Sequence, residues 1–427
     1  MNHTTLLQNV RLFDLSSDYH NQLVEILIKD GQIEAIGEGL GMAASELIDG
    51  HGAYVSLGWM DAFGVCPDPG EPWKESLISY SQAAQQGGFT QVAALCGQNP
   101  KSDNESVIAQ VKQVGSQLSA EILPWGLASV QGDGKEMAEV YEMHVAGAVA
   151  FTDGMHSSAS VGLRSKLMQY CKSLGLQYTH FPYQKALAAD GKMHEGLVNA
   201  SLGFKGMPAV SETVELLSDI EMAKHLGCGL SVLGVSSAES VEIIRKAKSD
   251  GVAIVASVPV LNLLLTDEAL TGFDENLKVI PPLRGERDRQ ALLEGLLDGT
   301  LTAVVSNHHP EDIESKKVEF DYAAWGAATL SMTFPILCKA FEQVSPDRWV
   351  PLMYAGSRTF MGVETKGIAV GVSADLTLFE LDGTYVASAE KQFSRAYNIP
   401  CADMPLKGRV LGTLRKGCYM KNDVRQN

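Results

Sequence analysis

The sequence predicts an α/β protein: a (β/α)8 barrel with a small composite β-sandwich built from both termini. Three observations carry this expectation. Both ends of the chain read as short alternating strands with tight turns, the middle alternates apolar strands with amphipathic helices, and the middle holds eight strand–helix units.

Residues 1–56 supply one part of the terminal domain. VEILIKDGQIEAIGEGL contains two strands around Asp30-Gly31, a dipeptide suited to the positive-φ backbone of a tight hairpin. Residues 362–427 repeat the style. ADLTLFELDGTYVAS and GRVLGTLRKGCYM alternate with period two, and turns are expected at Asp382-Gly383 and Lys416-Gly417. Two strand-rich ends around a middle of different character are expected to pair with each other. Residues 57–361 are left for the barrel. Its strand candidates are Val55–Phe63, Thr90–Leu95, Glu121–Leu127, Ala148–Thr152, Gln177–His180, Leu230–Val235, Val252–Val258 and Thr302–Ser306. Helices are expected between them, among them Val161–Leu174, Thr213–Leu226, Ser237–Ser249 and Glu286–Leu297. A doubly wound sheet alternates in the same way and is the alternative on pattern alone. In a barrel, chemistry sits at the C-terminal ends of the strands.

Composition narrows the function. The 427 residues are 45% hydrophobic and 20% charged, ordinary for a globular protein with a sizeable core. A net charge of -17 argues against nucleic acid and against an anionic membrane surface, both of which need a basic footprint. The seven cysteines are scattered and never spaced C-x-x-C, which fits reduced thiols in a cytosolic protein. MNHTTLLQNVRLF shows no basic region followed by an apolar one, so no signal peptide is expected and a cytoplasmic location is. The most apolar segment, Val252–Leu265, is interrupted by Ser257, Pro259 and Asn262 and is too short to span a bilayer.

Gly58–Gly70, GWMDAFGVCPDPG, reads as a buried strand that ends in a turn through Pro67, Pro69 and Gly70. Further along come GGFTQVAAL with Asn99-Pro100, AGAVAFTDG, LLLTDEALTGFDENLKVIPPLR, LEGLLDGTLTAVVSNHHP, GIAVGVSADLTLF and PLKGRVLGTLRKG. In order and spacing these segments resemble dihydroorotase of the amidohydrolase superfamily, over nearly the whole chain. The resemblance implies a TIM barrel of the metallo-dependent hydrolase type. It implies opening or closure of a cyclic amide by a metal-bound hydroxide. Histidines and carboxylates at strand ends would hold the metal, an Asp on the last strand would move the proton, and an Arg with two Asn residues would grip the substrate carboxylate.

Carried over position by position, that site is not reproduced. Phe63 and Val65 stand at the His-x-His pair of the first strand, and neither offers a lone pair to a metal. Pro67 stands for the substrate Arg, which removes a bidentate donor. Leu95-Cys96-Gly97 replaces Met-Pro-Asn, with Gly97 at the substrate Asn. His180 matches a family ligand. Gly234 takes the place of the next histidine, Leu261-Asn262 replaces a His pair, and Ile280 replaces an Asn. Asn307 stands for the catalytic Asp, and an amide cannot serve as a general base.

Asp61, Asp153, His180, His308 and His309 remain as candidates near the predicted mouth. One reading is a reduced, mononuclear site on His180 and Asp153. The other is a filled barrel in which His180 is hydrogen-bonded and the rest are solvated loop residues. Zinc wants three or four protein ligands, so no cofactor is expected, and zinc belongs only to the first reading. Adjacent His308 and His309 point to opposite faces of an extended chain, so one at most could enter a pocket. Cys66 lacks a paired His and reads as a buried, inert thiol. The resemblance implies a structural role: inactive homologues of this kind serve as assembly subunits of aspartate transcarbamoylase, and barrels of the family form homo-oligomers. The alternative is an active amidohydrolase with altered ligands and a related cyclic amide.

Overall fold

The computed structural model describes residues 4–41, 44–156, 159–387, 392–402 and 404–422. The N-terminal strands are β1 (Thr4–Phe13), β2 (Leu23–Lys29), β3 (Gln32–Gly37), β4 (Glu46–Asp49) and β5 (Tyr54–Leu57). The barrel strands that follow are β6 (Trp59–Cys66), β7 (Phe89–Cys96), β8 (Glu121–Trp125) and β9 (Thr179–His180). Two short strands, β10 (Met193–His194) and β11 (Gly206–Met207), pair within the next loop. The barrel resumes with β12 (Leu230–Val232), β13 (Ile254–Pro259) and β14 (Ala303–Val305), and the chain closes with β15 (Leu376–Val386), β16 (Pro405–Arg415) and β17 (Cys418–Lys421).

The two ends of the chain form one eight-stranded sheet in the order β17-β16-β15-β5-β1-β2-β3, with β4 beside β1. Both expected hairpin turns at Asp30-Gly31 and Lys416-Gly417 are present, with positive φ at all four residues. Asp382-Gly383 is not a turn between strands. It lies within β15, where a register shift between Glu380 and Thr384 absorbs the extra residues as a bulge. The expected strand Val55–Phe63 is divided at Gly58: β5 pairs with β1 and β15, whereas β6 enters the barrel. A Cβ at Gly58 would stand 2.4 Å from Thr90 Oγ1, so the close crossing needs glycine.

The barrel is parallel throughout. β6, β7 and β8 form one run, and β9, β12, β13 and β14 another. The fourth strand is reduced to Phe151, which bridges Gly126 on one side and Tyr178 on the other. A bridge between Gly64 and His308 closes the ring. The helices around it are α1 (Leu77–Gln86), α2 (Glu105–Gly115), α3 (Val140–Ala146), α4 (Val161–Leu174), the short α5 (Lys185–Ala188) and α6 (Leu197–Leu202), α7 (Val210–Leu226), α8 (Ala238–Ser249), α9 (Leu261–Leu264), α10 (Glu286–Leu297), α11 (Ile313–Lys316) and α12 (Thr333–Ala340). Their ends follow local chemistry. Ser160 caps α4 by accepting from Leu163 N, and Gly175 ends it in the left-handed conformation.

Two apolar cores result. The larger lies between the strands and the helix layer and runs on into the terminal sheet. The smaller fills the inside of the barrel. Among the described residues, no helix is long and apolar enough to cross a membrane.

Candidate functional site

The centre of the barrel is occupied by side chains. A register shift between Asp61 and Gly64 turns both Ala62 and Phe63 of β6 into the inner core. Phe63 and Trp125 are fully buried and meet edge to face, with centroids 5.9 Å apart at 82°. The Trp125 indole N–H donates to the Ala62 carbonyl at 3.0 Å. Met155, Phe181, Leu233 and Ile280 complete the plug, and Val65 and Leu95 pack against it half-buried.

The remaining positions of the expected site are structural. Gly234 has φ 72°, and a Cβ there would meet Met155 at 3.1 Å and Phe181 at 3.3 Å, so any larger residue would displace the plug. Gly97 has φ 87° and its N–H donates to the Cys66 carbonyl at 2.9 Å. The Pro67 carbonyl accepts from Glu71 N at 3.0 Å in a turn. Asn307 sits at φ 51° and ties the end of the last barrel strand to β6 and to the loop before α10: its N–H donates to the Phe63 carbonyl at 3.2 Å, and Nδ2 donates to the Ile280 carbonyl at 3.0 Å. Beside it is a cavity of about 10 Å³ lined by Asn262, Val279, Ser306, Asn307 and Thr329, room for about one water. The buried Oδ1 of Asn262 has no partner and is suited to that water.

Asp61 and His308 are committed to the barrel wall. Asp61 joins the first and last strands by accepting from Ser306 N at 2.8 Å and from the Ser306 hydroxyl. Burial pushes its carboxyl up to about 7, against those hydrogen bonds. His308 Nδ1 accepts from Thr329 N at 3.0 Å and Leu330 N at 3.3 Å. Its proton therefore belongs on Nε2, which lies 3.6 Å from Glu75 Oε2, and its ring meets Tyr80 edge-on at 5.2 Å. His309 approaches Glu311 at 3.8 Å. His308 is 1% exposed, so the expectation of a solvated loop histidine does not hold: two backbone donors and a buried carboxylate hold it in the wall.

His180 does not face the centre. Phe181 joins the inner core, and along a strand neighbouring side chains point to opposite faces. His180 turns to α7, where Nδ1 meets Asp219 Oδ2 at 2.5 Å. Arg164 of α4 donates from Nε to Asp219 Oδ1 at 3.0 Å and reaches Glu215 at 2.5 Å, so the histidine belongs to a buried ionic cluster between helices. Asp153 accepts from Ser129 N at 2.8 Å through Oδ1, while its buried Oδ2 has no partner. Burial pushes the Asp153 carboxyl up, against Ser129 and the nearby His180.

The family chemistry implies zinc, which needs three or four protein donors. Asp153 Oδ2 beside His180 offers two donors, and His180 is already held by Asp219. Among the described residues, no three His, Cys, Asp or Glu side chains are grouped to hold a metal ion. The residues present do not fit the metal. Cys66 is buried beside Cys96, and burial first, then Cys96, pushes its thiol well above the ordinary range. The plug residues Trp125, Met155 and Phe181 were not foreseen from the sequence. Their signal was present as large apolar residues in, or within three residues after, predicted strands 3, 4 and 5, where a site needs polar groups.

Comparison with known proteins places this framework. A family model described as dihydro-orotase-like matches residues 68–240. The dihydroorotase of Thermoanaerobacter sp. is 35% identical over 397 residues, covering 92% of each chain. That of Caldanaerobacter subterraneus subsp. tengcongensis is 35% identical over 404 residues, covering 93% of this chain and 94% of its own. Among solved structures, an L-hydantoinase from Arthrobacter aurescens superposes with a TM-score of 0.85 at 24% identity, over 99% of this chain and 97% of that one. A D-hydantoinase from Thermus sp. gives 0.80 at 17%, with the same coverage, and both likenesses show the barrel-and-sheet fold. On identity sustained across both chains at these levels, the protein belongs to the dihydroorotase family.

Proposed function

We propose that this chain is a dihydroorotase-like protein of pyrimidine biosynthesis that does not catalyse the ring reaction and serves instead as a structural subunit, with aspartate transcarbamoylase as its partner. The observation that supports non-catalysis is Phe63 packed on Trp125 where a metal and a substrate would meet. A dianionic substrate needs convergent polar groups, and an apolar plug imposes a desolvation cost with no compensating bonds. The assembly role is supported by the family resemblance together with a well-packed framework whose centre, among the described residues, is filled by the plug.

The test has two arms. Purified protein, with and without added zinc, is assayed for interconversion of dihydroorotate and carbamoyl-aspartate; turnover above the no-enzyme rate would overturn the non-catalytic reading. The chain is then co-expressed with the aspartate transcarbamoylase of its own organism, and a stable complex on size exclusion is expected.

A further inference from the structure

The loops over the barrel mouth are pinned by two buried lysines. Lys278 donates from Nζ to the carbonyls of Phe320, Asp321 and Ala323 at 2.8, 2.9 and 2.7 Å, which uses all three of its protons. Lys316 donates to the carbonyls of Ala324 and Gly326 at 2.8 and 3.1 Å. Burial pulls both ammonium groups down to about 8. Trp325, at the end of this segment, packs on the barrel plug. Phe204 binds the neighbouring loops together, 5.8 Å from Phe273 and 5.1 Å from Phe320. Desolvating two ammonium groups is costly, and here it fixes the shape of a surface.

That surface is apolar at its centre and acidic around it. Phe273, Val318 and Tyr322 are 48%, 40% and 78% exposed. Of the nine carboxylates in residues 267–275 and 311–322, Asp267 and Glu311 are buried and Asp321 lies 3.8 Å from Lys192, which leaves Glu268, Asp274, Glu275, Asp312, Glu314 and Glu319 at the surface against Lys317, Lys316 being buried.

We infer that the face formed by Phe273, Val318 and Tyr322 with the acidic residues around them is a docking surface for a second protein, one that presents basic side chains around an apolar centre. A pinned backbone loses little entropy on binding, and exposed aromatics inside a polar rim are the usual anatomy of an interface. The sign of the charge selects the occupant. Nucleic acid and anionic lipid are repelled, and a second copy would bring like charges together. The inference rests on the assembly reading above and gives that reading its surface.

The test uses the full chain and the aspartate transcarbamoylase of its own organism, followed by sedimentation velocity at low and high salt. Three proteins are compared: wild type, the patch variant Glu314→Lys/Glu319→Lys/Tyr322→Ser, and the control Val214→Ser/Leu217→Ser on the exposed side of α7. Binding is expected for wild type and control, to weaken with salt, and to fall at least tenfold in the patch variant. Equal binding by the patch variant would overturn the surface and leave the assembly reading standing. No binding by wild type would overturn the assembly reading, and the surface with it. Self-association of wild type that the patch variant loses would make a second copy the occupant and overturn the basic partner. Should the triple variant melt early, Glu314→Lys/Glu319→Lys, which alters only exposed carboxylates, gives the same readout.

Discussion

Trp125 stands edge-on to Phe63 while its indole N–H is held by the carbonyl of Ala62, so the plug is tied to the backbone of the strand it fills. Phe63 cannot swing aside without breaking that packing. Phe63→Ala is therefore expected to create a central cavity and to lower unfolding stability by about 3–5 kcal/mol. Urea denaturation checks it. A loss below about 1 kcal/mol would mean the interior collapses freely and the plug is not rigid.

Asp61 gives a pH signature. Its carboxyl is raised to about 7 in the folded protein from an ordinary value of 3.8. Between those values the folded chain holds a proton that the unfolded chain has lost. The contribution is thus fully present below about pH 4 and declines as pH rises through about 7. Asp61→Asn removes this contribution. The stability of wild type relative to Asp61→Asn is expected to fall between pH 4 and pH 7.5, measured by denaturant unfolding across that range. A flat difference would mean the carboxyl is ionised throughout.

The fold was legible from local signals. Positive-φ dipeptides marked the hairpins, and alternation of apolar strands with amphipathic helices marked the barrel; Val161–Leu174 and Glu286–Leu297 match α4 and α10 end for end. The absence of metal-ligand types at Phe63, Val65 and Gly234 was legible too, because it is a property of the side chains themselves. The placement of His180 was not. Strand register decides whether a residue faces the centre or the helices, and β9 is too short for period-two reading to fix it. Its partner Asp219 lies 39 residues away on α7, beyond any local pattern.

Metal content separates the two readings of the mouth. Asp153 Oδ2 is unpartnered and near His180, but two donors fall short of a zinc site. Protein purified without chelator and dialysed against excess zinc is expected to retain well under one equivalent by elemental analysis, and Asp153→Ala is expected to leave that value unchanged. One tight equivalent, lost in Asp153→Ala, would restore the metal reading.

Asp219 anchors the buried ionic cluster between α4 and α7. Asp219 receives the Arg164 guanidinium on one oxygen and His180 on the other, and all three side chains are buried. Removing the carboxylate leaves the buried Arg164 guanidinium with Glu215 as its one remaining carboxylate and takes the partner from His180, which costs more than the net worth of the pair. Asp219→Ala is expected to destabilise by about 3–5 kcal/mol. His180→Ala loses one hydrogen bond and some packing, so its cost is expected to be smaller, about 1–3 kcal/mol. Because both act on one carboxylate, the double variant should cost less than the two single losses combined, by about 0.5–3 kcal/mol. Full additivity in that cycle would place His180 outside the cluster and return it to the candidates for chemistry at the mouth.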